Sequence, residues 1–184
     1  MNRIAFVLVL AALAGCKSVS ISNPFTMMRP NYDVLPQEAM REAATKIETA
    51  VAAGDRDAKI EAPSGISLDD DVLAQAIRTR VARNELVQEF LDRGHAYEKR
   101  NGLVAVLRSA EYKKAGTGRS RDRDAVLVIG ENRDRWAIYE GIVKTSNLSP
   151  DALGAVQAIF HEVRVSMLKA GNKYEDESGQ MLTK

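Results

Sequence analysis

The chain has one cysteine, two histidines and few aromatics, with Phe, Trp and Tyr together making 5% of its 184 residues. One thiol cannot close an internal disulfide, so the fold must hold together by burial alone. Neither His95 nor His161 has a Cys, Asp or Glu neighbour at metal-ligand spacing, so no metal is expected. Neither sign of charge dominates, since 26 Lys and Arg face 25 Asp and Glu. That balance argues against the strongly basic footprint of a nucleic-acid binder. No apolar run reaches the roughly 20 residues that a membrane-spanning helix needs. The G-x-S-x-G elbow, the H-E-x-x-H pair and a phosphate-cradling glycine loop are also missing. No catalytic residue or cofactor is therefore assigned, and no mechanism can be written.

What is present begins at the N-terminus. Arg3 gives a short positive region, Ile4 to Leu13 an apolar stretch, and Ala14 with Gly15 a pair of small residues before Cys16. These are the parts of an export signal. Leu13-Ala14-Gly15-Cys16 resembles the lipobox of bacterial lipoproteins. The resemblance implies a signal peptide over residues 1–15, cleavage before Cys16, and acyl chains on the Cys16 thiol and often on the new amine. It also implies a cell-envelope location. Lys17 stands where an Asp would favour inner-membrane retention, which points to the periplasmic face of the outer membrane.

Residues 16–35 read as the lipidated cysteine and a tether, rich in serine, with two prolines and no helical period. Residues 36–184 read as one mainly α domain of about four helices, including a C-terminal helical hairpin, with a small antiparallel β element. Hydrophobic residues at 45% suffice for its core, which must be aliphatic. Met40, Ala44, Ile47 and Val51 place a first helix over Pro36–Ala53. A second spans Ser67–Arg93, with Ser67 opening a near capping box and Asp69, Asp70 and Asp71 at the positive end of its dipole. Its apolar face takes Val72, Leu73, Ala76, Ile77, Val87, Phe90 and Leu91, and Arg80 and Arg83 project onto it, where snorkelling at the margin is the first reading and a buried ion pair or a partner contact the second. His95–Gly102 reads as a loop closed by Asn101-Gly102, Leu103–Leu107 as a strand, and Ala115–Asp124 as a mobile charged loop. A third helix covers Ala125–Ser146, with Ile129, Trp136, Tyr139 and Val143 on one face. Ser149-Pro150 starts the last helix, whose apolar face is Leu153, Val156, Ile159, Phe160, Val163 and Met167, with His161 on its polar side. Lys173–Lys184 reads as a terminal β-hairpin.

One constellation stands out. Asn132, Arg135 and Tyr139 share a helix face with Trp136 and Val143. An Asn on an apolar stripe must find partners or cost about 1–3 kcal/mol. Such a face is read first as a polar network setting helix register and second as a partner or ligand site. These residues also carry a resemblance. Residues 91–184 are similar to the YdbL family of periplasmic envelope proteins in the Asn132-Arg133-Asp134-Arg135-Trp136-Ala137-Ile138-Tyr139 helix. The similarity extends to the Gly94–Leu103 segment and to a tail with Gly171-Asn172-Lys173-Tyr174 and Ser178-Gly179. Tyr97 stands where the family has glycine, and Lys173 and Met181 stand where it has tryptophans. The resemblance implies an accessory protein facing the periplasm, with some members associated with proteins that carry lipid between membranes. The expected function is thus that of a non-enzymatic envelope lipoprotein in lipid transport or outer-membrane maintenance. Its expected partners are the membrane, through its lipid, and an envelope protein or lipid. A groove on the C-terminal hairpin, gated by the Ala115–Asp124 loop, would serve that role. A hydrolase acting on cell wall or lipid and a purely structural lipoprotein are the alternatives.

Overall fold

Met40, Ala43, Ala44, Ile47 and Val51 line one face of the first helix, and all are buried in the computed structural model, which describes residues 30–184. The signal segment, Cys16, Phe25, Met27 and Met28 lie outside the described residues. Helix α1 (Gln37–Ala53) ends at Gly54, whose left-handed backbone returns its N–H to the last turn. Before α1, a 3-10 turn at Tyr32–Val34 and the buried Leu35 pack on the domain. The end of the expected tether is thus part of the fold.

Helix α2 (Asp71–Asp92) starts later than the sequence suggests. Its cap is Asp70, whose carboxylate accepts the Leu73 N–H at 2.8 Å. Ser67 instead bonds through its backbone to Ser146 and Thr145 at the far end of another helix. Gly94 then turns the chain into a strand. The expected loop at His95–Gly102 contains β1 (Ala96–Glu98), which pairs antiparallel with β2 (Val104–Val106) across the Asn101-Gly102 turn.

The stretch expected as a mobile loop is helical. Ser109 caps α3 (Ala110–Ala115) and Thr117 caps α4 (Gly118–Thr145). Between the two, the Arg121 guanidinium donates to the Gly116 carbonyl at 2.6 Å. Alternating Arg and Asp suggests a solvated loop from sequence, but two hydroxyl caps and a long propagating helix outweigh that pattern. After Asn147 turns with positive φ, a 3-10 turn at Pro150–Ala152 leads into α5 (Leu153–Met167). Helix α5 is buried on nearly every side from Gly154 to Arg164. The hairpin of β3 (Lys173–Glu175) and β4 (Met181–Thr183) closes the chain.

The fold is mainly α with a small four-stranded sheet in the order β2-β1-β3-β4. The sheet is mixed, because β3 joins β1 in parallel and does not touch β2. Helix α4 packs chiefly on α2, and α5 chiefly on α1, so the α4–α5 hairpin is the lesser contact. A larger core lies among α1, α2, α4 and α5. A smaller one, with Val87, Phe90, Leu91, Ala96, Val104, Tyr112 and Leu168, joins α2 to the sheet and α3. Among the described residues no helix is long and apolar enough to cross a membrane.

Candidate functional site: a closed ring of arginines and glutamates

Four helices and one strand each send charge into the core. Glu48 of α1 follows Ile47 on the buried face, and Arg80 of α2 follows Ala76 and Ile77. Helix α4 buries Glu131, Asp134, Arg135, Ile138, Tyr139 and Ile142, one face at helical spacing. Arg164 follows Phe160 and Val163 on α5, and Glu98 takes an inward position of β1. Each charged residue thus occupies a register position that an apolar side chain would ordinarily take.

Together they form a closed, alternating ring. Arg80 grips both oxygens of Glu48 at 2.9 Å and donates from Nε to Glu131 at 2.9 Å. Arg135 Nε meets the same Glu131 oxygen at 2.8 Å, and its two terminal nitrogens hold Glu98 at 2.6 and 2.8 Å. Arg164 closes the circuit, reaching Glu98 from Nε at 3.2 Å and Glu48 from Nη1 at 2.8 Å. Arg83 extends the network outward to Glu131 and Asp134. Three arginines and three glutamates alternate around the ring, so its formal charge sums to zero.

The tip of the β1–β2 turn inserts beside the ring. The Gly102 carbonyl accepts the Tyr139 hydroxyl at 2.6 Å and Arg164 Nη2 at 2.7 Å, while Arg164 also donates to the Tyr139 oxygen at 2.8 Å. Gly102 has φ of 74°, and a Cβ there would stand 2.9 Å from the Gln157 carbonyl and 3.0 Å from the Tyr139 hydroxyl. Only glycine fits this approach. The Arg164 guanidinium lies 5.9 Å from the centroids of both Tyr139 and Phe160, within cation–π range.

Burial alone would push these carboxyls up, and the surrounding guanidiniums overcome it. Glu48 is held at about 2 by Arg80 and Arg164. Glu98 and Glu131 are likewise lowered, the first by Arg135 and Arg164, the second by Arg80 and Arg135. The ring therefore carries fixed, mutually cancelling charge at neutral pH. Its three carboxylates stay ionised near neutrality. On one side it faces a cavity of about 290 Å³, which all six ring members help to line.

Of the sequence-predicted face, Arg135 is a ring member and Tyr139 braces the turn beside it. Asn132 acts elsewhere: its amide pairs with both the N–H and the C=O of Val104, each at 2.9 Å, as a neighbouring strand would. Trp136 and Val143 are half-buried at the flank. Ile129 is 67% exposed, because the inner face of α4 runs through charged positions and the apolar residues that suggested the face lie to one side. Val72 and Met167, expected to be apolar contacts, are likewise exposed. Arg80 does not snorkel, as its guanidinium is consumed in the ring.

His161, expected on a polar side, is buried because α5 has no solvated face there. Its imidazole is held neutral down to about 4, by burial first and by the nearby Arg164 charge second. One turn earlier Gln157 is fully buried, and neither atom of its side-chain amide has a partner among the described residues. Glu48, Glu98, Glu131 and Arg164 escaped sequence reasoning. The signal that would have found them is a lone charge at an apolar register position on each of several elements. Among the described residues no cluster of His, Cys, Asp and Glu is arranged to hold a metal. No family model, curated protein or solved structure matches this chain.

Proposed function

We propose that this protein is a lipid-anchored factor of the bacterial envelope, tethered by Cys16 to the periplasmic face of the outer membrane. Its role is that of a non-enzymatic binding or accessory module in lipid transport or outer-membrane maintenance. The observation that carries the reading is Leu13-Ala14-Gly15-Cys16, placed after an apolar stretch with Arg3 before it. The similarity of residues 91–184 to the YdbL family supports the accessory role. The ring supports it chemically, since its carboxylates are tied to arginines and held ionised well below neutrality.

The proposed gate of the hairpin groove is not retained, because the expected loop from Gly118 onward is the start of α4.

A single acyl chain gives marginal membrane binding, whereas two or more anchor stably, at about 0.8 kcal/mol per buried CH₂. Cys16→Ala should remove the acyl-bearing mass and shift the protein from membrane to soluble fraction. Intact-mass spectrometry and fractionation of envelopes check this. Wild-type protein recovered without acyl groups would overturn the anchor and the location with it.

A further inference from the structure

We propose that the cavity against the ring binds a small zwitterion with an apolar side chain, of the class of a free aliphatic α-amino acid. This assignment goes beyond the envelope reading and does not depend on the lipid anchor. The ring side of the cavity offers both donors and acceptors. An arginine has five N–H groups, and Arg80 makes three hydrogen bonds, to Glu131 and to the two oxygens of Glu48. Two of its N–H groups are left over. Glu48 Oε2 and Glu98 Oε1 each accept one bond within the network, which leaves each a further lone pair.

Charge then selects the ligand. The ring is already neutral, so a ligand of net charge would lie against buried groups without a counter-charge. A zwitterion brings its own, with the carboxylate on the Arg80 side and the ammonium on the glutamate side. Lys169, the remaining cation on the rim, is already bonded to Asp92 at 2.6 Å. Val87, Met167 and Leu168 supply apolar wall, and Asn84 with Gln88, one turn apart on α2, supply amides. A volume of about 290 Å³ lies just below the roughly 300–1,000 Å³ of small-molecule sites. That suits an amino acid and is too small for a two-chain lipid.

The test uses the full chain in detergent micelles, with L-leucine as probe. Its two halves, isocaproate without the amine and isoamylamine without the carboxylate, serve as comparisons. Calorimetric titration and the Met167 methyl resonance report binding. Leucine should bind saturably and move that methyl, and each half-ligand should bind at least about tenfold more weakly. Ala52→Phe narrows the cavity from an exposed position on α1 outside the ring, so it should keep the thermal midpoint and lose the leucine response. Absence of a leucine response, equal binding of either half-ligand, or an unchanged response in a folded Ala52→Phe protein would overturn the assignment.

Discussion

At the scale of single residues, the ring makes a buried charge either satisfied or very costly. Arg164 is the sharpest case, because it bonds Glu98, Glu48, the Gly102 carbonyl and the Tyr139 hydroxyl at once. Arg164→Met keeps much of the volume but strips one partner from each of two buried carboxylates. Breaking a buried pair in this way costs about 3–5 kcal/mol, and urea unfolding should show a loss of that size. Tyr139 separates the hydrogen bond from the ring's packing. Tyr139→Phe should cost about 1 kcal/mol for the lost hydroxyl contacts, and Tyr139→Ala about 3 kcal/mol or more for the cavity left beside Phe160. His161 gives a pH signature. Its folded value of about 4 lies below the ordinary 6.5, so the unfolded chain takes up the proton first as pH falls. Its neutral burial therefore favours folding fully above 6.5, and that contribution declines between 6.5 and about 4. In His161→Leu the stability measured across that interval should flatten relative to wild type.

At the scale of elements, the sheet edge depends on a helix. β2 is an outer strand, and the Asn132 amide of α4 pairs with Val104 as an added strand would. From sequence alone, Asn132→Leu is expected to keep the fold if the polar face only sets helix register. The structure adds a cost to that expectation, because the substitution leaves both the Val104 N–H and C=O without Asn132. The cost should be about 1–3 kcal/mol, and the Val104 amide should lose its protection from hydrogen exchange. Asn132→Asp keeps an acceptor for the Val104 N–H but offers no donor for the carbonyl, and should fall between the two. The helix caps show the same dependence on neighbours. Asp70 rather than Ser67 caps α2, and the Ser67 backbone is held by Thr145 and Ser146 at the end of α4.

At the scale of the whole molecule, acid should loosen the ring as a unit. Glu48 moves from an ordinary 4.5 to about 2 on folding, and Glu98 and Glu131 are also lowered. The Glu48 contribution is complete above about 4.5 and is lost as pH falls toward 2, and those of Glu98 and Glu131 weaken in the same direction. Stability measured by denaturant should therefore drop steeply over that interval, after the shallower loss from His161 has begun. Sequence by itself determined much of this protein. The apolar periods of α1 and α5, the glycine after α1, the Ser149-Pro150 start and the terminal hairpin follow from local spacing and turn chemistry, which act over a few residues. The position of Cys16 after an apolar stretch is likewise a local pattern. Tertiary structure alone decided the remainder. Whether Arg80 reaches solvent or a carboxylate depends on Glu48 and Glu131, 32 and 51 positions away. Whether Glu98 is tolerable in the core depends on Arg135 and Arg164, from two different helices. A charge on an apolar face reads from sequence as an interruption, because its desolvation is a local property and its compensation is not. Only the packing of four helices around the β1–β2 turn brings the opposing charges within hydrogen-bond distance, where those interruptions become a closed ring.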